Sequence, residues 1–165
     1  MQKPADLREY LIAQFPQLGK KPDNLQMFIE SGAVRARINN RNFQINYQLQ
    51  VIFLNWTSHN VIAMIALNDW ISRNEPDLIA RHGADAFSFQ ADFIDSKAVD
   101  LQFTLQLTEQ VQLARNEDDD GDEITFLAAP DVAEMLEGPA LSDPPANLGT
   151  IFWGDEPLIP HPEDS

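Results

Sequence analysis

Cysteine is absent from the 165 residues, which excludes a disulfide framework, a thiolate metal site and a cysteine nucleophile. No apolar run approaches the roughly 18–20 residues that a membrane-spanning helix needs. The longest, Val61 to Leu67, has seven residues and belongs to a helical pattern. Met1-Gln2-Lys3-Pro4 leads directly into a charged amphipathic segment, so no secretory signal is expected. Only seven glycines are present, leaving few places for a phosphate-cradling loop. No G-x-S-x-G elbow or dinucleotide fingerprint occurs. Beyond Arg115 there is no Lys or Arg at all, while 14 acidic residues and seven of the eleven prolines fall there. Up to Arg115 the chain holds 11 basic and 12 acidic residues. The break divides the chain into a nearly neutral body, 1–115, an acidic proline-rich extension, 116–148, and an apolar terminal hook, 149–165.

Binding to a phosphate backbone requires a basic face, which a net charge of −15 disfavours. The local exception is Arg35, Arg37 and Arg41 within seven residues. This cluster is read as a solvated turn or protein contact, with an anion or nucleic-acid contact as the alternative. His59, His82 and His161 fall in expected loops or the tail, none at a metal-ligand spacing. The run Asp118-Asp119-Asp120-Gly121-Asp122-Glu123 resembles a calcium loop only in part, because no Glu stands where the closing ligand would be needed. Asp92 and Asp95 flank a strand end, and nothing else converges on them. No catalytic residue, cofactor or metal site is expected.

Hydrophobic spacing gives an α+β protein, mainly antiparallel sheet with two or three helices. Leu7, Tyr10, Leu11 and Phe15 form a helical stripe that starts near Pro4 and stops at Pro16. Leu25, Phe28 and Ile29 predict a second helix over 22–31, capped by Asp23 and ended by Gly32. A strand near 33–38 and a turn at Asn39-Asn40 follow. Phe43, Ile45, Tyr47, Leu49, Val51 and Phe53 then alternate with Gln44, Asn46, Gln48 and Gln50, a period of two that puts all six apolar side chains on one face. Helical spacing returns over 60–74, capped by Ser58 or Asn60 and closed before Pro76. Phe87–Phe93 and 101–113 alternate again, the second around a turn at 95–97. Glu109 falls on the apolar face there, which suggests that the strand outruns the core. A further short strand is expected over 124–127.

The polar strand faces hold Gln44, Asn46, Gln48, Gln102, Gln106 and Gln110 where a solvated face would normally carry charge. Interfaces are depleted of charge at their centres, so this face suits a subunit contact; an ordinary exposed face remains the alternative. Ile151, Phe152 and Trp153, followed by Gly154-Asp155 as a turn, suggest a small hairpin that must dock somewhere, since one this size is marginal in water.

Lys3-Pro4-x-x-Leu7, Pro22-Asp23-x-Leu25-x-x-Phe28 and Ser31-Gly32 occur in one order with Tyr47-x-Leu49-x-Val51 and Trp70-Ile71-x-x-Asn74-x-Pro76-Asp77. Phe87-x-Phe89-x-Ala91-Asp92-Phe93-Ile94-Asp95 and Asp100-Leu101-x-x-x-Leu105-x-Leu107-Thr108-Glu109 complete the series. This order, over about residues 3 to 113, resembles the GpR tail completion proteins of temperate contractile-tailed bacteriophages. The ending 150–156 is similar to that family's aromatic terminal segment. The resemblance implies a tail-terminator-like fold and a structural role at the head-proximal end of the virion tail. It also implies a ring homo-oligomer, commonly a hexamer, meeting tail tube, sheath and neck or connector proteins. DNA would pass through its lumen without sequence-specific binding, and assembly would take place in the host cytoplasm. An acidic adaptor or assembly chaperone for a basic partner is the alternative reading.

Overall fold

Alternation sets the sheet. In the computed structural model, which describes residues 1–37, 40–78, 85–94, 97–116 and 121–127 and the backbone of 152–153 and 156–157, two long strands pair antiparallel. These are β2, Asn40–Trp56, and β4, Val99–Asn116. Tyr47 lies opposite Leu107, Leu49 opposite Leu105, Val51 opposite Phe103 and Phe53 opposite Leu101. All eight are buried. The period of two continues until Asn55, which adopts positive φ (53°), a conformation asparagine tolerates better than most residues. The ladder shifts there, and Trp56 re-enters the core. The Asn55 N–H is held by Asp100 Oδ1 at 2.8 Å.

The segment expected to be a helix over 22–31 is a strand. A 3-10 turn, Pro22–Asn24, leads into β1, Leu25–Arg37, antiparallel to β2. Leu25, Phe28 and Ile29 satisfy helical spacing, yet Leu25, Met27 and Ile29 equally satisfy a period of two. The ladder with β2 decides between them. A register shift between Ile29 and Ser31 leaves Glu30 as a bulge. Gly32 serves close packing rather than a helix cap: a Cβ there would stand 3.3 Å from Tyr47 Cβ.

Strands β3, Phe87–Phe93, and β5, Gly121–Leu127, both pair antiparallel with β4 on the side away from β2. The order is β1-β2-β4-β3, with β5 farther along β4. The expected short strand at 124–127 is thus present and longer, and pairing continues past the charge break near residue 115. Helices α1, Lys3–Gln14, α2, Pro16–Lys20, and α3, Asn60–Asn74, cover one face. Phe15 ends α1 and packs edge-on against Trp56 at 5.1 Å, while Phe53 touches Phe103 at 5.6 Å. Between the helices Trp70 Nε1 donates to Asp6 at 2.8 Å and Tyr10 donates to Asp69 at 3.2 Å. Burial, with the Asp69 carboxylate beside it, pushes the Tyr10 phenol up to about 12. His59, rather than Ser58 or Asn60, caps α3, its Nδ1 accepting from the Val61 N–H at 3.3 Å. Phe43, expected in the core, is half-buried and lies outside the central cluster, because β2 begins beyond the helices.

Between β3 and β5, residues 106–109 of β4 have no strand partner on that side among the described residues. Side chains take the strand's place. Glu75 Oε1 accepts the Thr108 N–H at 2.7 Å, and Lys3 Nζ donates to the Thr108 carbonyl at 2.7 Å. The same ammonium reaches Glu75 and the Asn74 carbonyl, each at 2.7 Å. Lys3 and Glu75 are only 15% and 7% exposed. Next to them Glu109, expected where the strand leaves the core, is buried instead. It accepts from the Tyr47 hydroxyl and from the Gln2 N–H. Burial, followed by the Glu109 carboxylate, holds the Tyr47 phenol protonated well above its usual range.

The turn at Asn39 and at Asp95-Ser96, the acidic residues 117–120, the extension over 128–148, His82 and His161 lie outside the described residues.

Two outcomes follow. Phe103, fully buried between β2 and β3, should cost about 3–5 kcal/mol as Phe103→Ala, measured by urea unfolding. Glu75→Ala strands Lys3 and the Thr108 N–H together and should cost a comparable ~3–5 kcal/mol. The double variant Lys3→Met with Glu75→Met should recover a large part of that loss. If Glu75→Ala unfolds at the parent's urea midpoint, this pair does not fasten the helices to the sheet.

Candidate functional interface

The face of the sheet turned away from the helices is built from the even-numbered residues of β2 and β4. Gln44 lies opposite Gln110, Asn46 opposite Thr108, Gln48 opposite Gln106 and Gln50 opposite Thr104. All are half-buried or exposed, and no described helix covers them. The amides bond to one another. Gln102 donates to Gln50 at 2.6 Å, Gln50 and Gln48 both donate to the bulged Glu30 at 2.7 and 2.9 Å, and Gln44 donates to Asn46 at 2.7 Å. Thr108 Oγ1 donates to the same Asn46 oxygen at 3.1 Å. The six amide residues singled out by alternation therefore share one surface. The added element is Glu30, which a helical reading of 22–31 hid. Fixed amide ladders of this kind leave unused donors and acceptors aimed outward, suited to hydrogen bonding with another protein surface.

The three arginines do not form one patch. Arg35 lies opposite Gln44 at the margin of the amide face and is exposed. Arg41 is bound by Asp122 of β5 in its own chain, on the helix side by strand alternation. The side chain of Arg37, at the end of β1, falls outside the described residues. Phe152–Trp153 pairs with Glu156–Pro157 as a two-stranded ladder, so the hairpin expected around Gly154-Asp155 has its backbone pairing. The side chains of Phe152 and Trp153 are likewise outside the description.

A concavity of about 320 Å³ opens at the gap between β3 and β5, lined by Gln2, Lys3, Arg73, Asn74, Glu109 and Phe126 among others. Its ionisable groups make structural contacts, although Arg73 Nε is buried without a hydrogen-bond partner. Lys3 serves Glu75 and two carbonyls, Glu109 holds Tyr47 and Gln2, and Arg73 pairs with Asp69 at 2.7 Å. Among the described residues no three His, Asp or Glu side chains cluster as metal ligands would. No described helix is long and apolar enough to cross a membrane.

The comparisons with known proteins agree on the family. Tail completion protein R of Escherichia phage P2 is 27% identical over 113 residues, covering 67% of this chain and 73% of that protein. No solved structure matches the chain. The family described as P2 phage tail completion protein R (GpR) matches residues 1–130, which takes in every helix and all five strands of the main sheet. The chain belongs to the P2 phage tail completion protein R family.

Proposed function

We propose that this protein completes the head-proximal end of a contractile phage tail as a structural subunit of a ring, commonly a hexamer, so that the tail can join a filled head. The observation that carries this reading is the family match over residues 1–130, on a sheet whose amide face no described helix covers. In this reading the amide face meets the last ring of tail tube or a neck protein. Arg35, exposed at the margin of that face, lies toward a neighbour or the DNA in the lumen. Copies are arranged head to tail, because a ring closes only through a heterologous interface. The chemistry is binding rather than catalysis.

The division into a body, an acidic extension over 116–148 and a hook over 149–165 belongs to the same proposal. The hook reaches a neighbouring tail protein. With 121–127 paired into the sheet, the 21 residues 128–148 separate it from the hook, and a flexible chain of that length has a root-mean-square reach of about 25 Å, enough to cross to that protein. The segment after Arg115, with 14 acidic residues and no basic ones, favours a second reading as an acidic adaptor for a basic client.

Mixing the purified protein with isolated tail tubes separates the two: end-capping supports the first reading, and binding only to a basic client supports the second. The double variant Gln106→Lys with Gln110→Lys places charge in the amide face at exposed positions. It should stay within about 0.5 kcal/mol of the parent in stability, as surface changes do, while losing tube capping. Capping at parental efficiency would remove the amide face from the contact. Deleting 149–165 should leave the body's melting temperature unchanged and reduce tail joining. Full joining by the truncated chain would eliminate the hook's role.

A further inference from the structure

Among the described strands, the four-strand path leaves β1 alone at one edge and β3, with β5 beyond it, at the other. Among the described residues the exposed large apolar side chains gather on these edge strands. They are Phe28, Ile29 and Val34 on β1, Phe89 and Phe93 on β3 with Ile94 just after it, and Ile124 and Leu127 on β5. Only Met1 and Val61 are exposed elsewhere. Neither Leu25–Arg37 nor Phe87–Phe93 contains a Lys or a Pro, the residues that usually keep an edge from pairing.

We infer that the edges are the ring contact: β1 of one copy pairs with β3 and β5 of the next. The inference rests on the ring reading above and names its interface. Directions support it. Every neighbouring pair along the four-strand path is antiparallel, so β1 and β3 run in opposite senses. A second copy in the same orientation therefore brings β1 against β3 as an antiparallel pair, and identical copies extend one unbroken antiparallel sheet. An odd number of strands would have forced a parallel joint, which is slightly less stable.

Chemistry matches level by level. Reading across the ladders, Met27, Val51, Phe103 and Phe89 form one row, and Ile29, Leu49, Leu105 and Phe87 another. The apolar half of β1 thus stands level with apolar β3. Arg35, Gln44, Gln110 and Leu127 form a third row, so the far half of β1 stands level with the end of β5.

The absence of cysteine makes the test clean. Phe28 and Ser88 are exposed and share the row Phe28, Gln50, Thr104, Ser88 on the amide face. Within one chain they are three strand spacings apart, about 14 Å. A disulfide needs Cα atoms within about 7 Å, so any bond between Phe28→Cys and Ser88→Cys joins two molecules. Full-length chains are oxidised at high concentration and in tails assembled with the variant, with a short bismaleimide in parallel to tolerate a shift in register. The double variant should give a ladder of covalent multimers. The two single variants mixed should give a heterodimer and nothing larger, and each alone should stay monomeric. Homodimers of Phe28→Cys equal to the heterodimer would mean that β1 pairs with itself, and the inference falls. It falls equally if no cross-link forms in either setting. Variants that still complete tails in those cases leave the tail completion reading standing, whereas a parent chain that fails to cap tubes removes that reading itself.

Discussion

A strand of 18 residues must have its hydrogen bonds answered along both sides, and β4 has an interval where no described strand answers. Lys3 and Glu75 supply the missing donor and acceptor at Thr108. They arrive from the first residue of α1 and the residue that ends α3, so satisfying one peptide unit fixes both helices against the sheet. Burying an ion pair is costly unless its remaining valences are filled. Here the ammonium has three acceptors and Glu75 Oε1 takes two donors. The aromatic contacts of Phe15, Trp56 and Phe53 then complete a core already positioned by polar groups.

The long strands and α3 were legible in the sequence because their periods are unmixed. Six alternating apolar residues in β2 admit no helical reading, and Pro76 leaves α3 one place to stop. Residues 25–29 were not legible, since a short apolar set fits both a helix and a strand and only a partner decides. Glu109 was misplaced for a related reason. A carboxylate on an apolar face implies exposure unless its donors are known, and those donors, Tyr47 and Gln2, lie 62 and 107 residues away. The amide face was legible as a face. Its bulged Glu30 was not, and neither was the separation of Arg35 from Arg41, which follows from strand alternation and an ion pair across 81 residues.

The amide face and the sheet edges offer different kinds of recognition. Edges present backbone groups in a fixed rhythm together with apolar side chains, which favours a strand of matching length. The amide face presents side-chain donors and acceptors already held in place by one another, which lowers the entropy cost of ordering them on binding. Its near lack of charge leaves specificity to geometry rather than to long-range attraction, in contrast to the acidic segment after Arg115. A tail component that must seat once, in one orientation, gains from keeping these properties on separate surfaces.

The buried contacts made by Gln2 and Lys3 also have a consequence during synthesis. Their partners on β4 are 107 and 105 positions further along the chain, so these residues cannot settle until β4 has been translated. Contacts this distant in sequence are late to form, because closing the intervening loop comes before any reward. The fastening of both helices to the sheet at Thr108 therefore waits for β4, long after α1 itself can form.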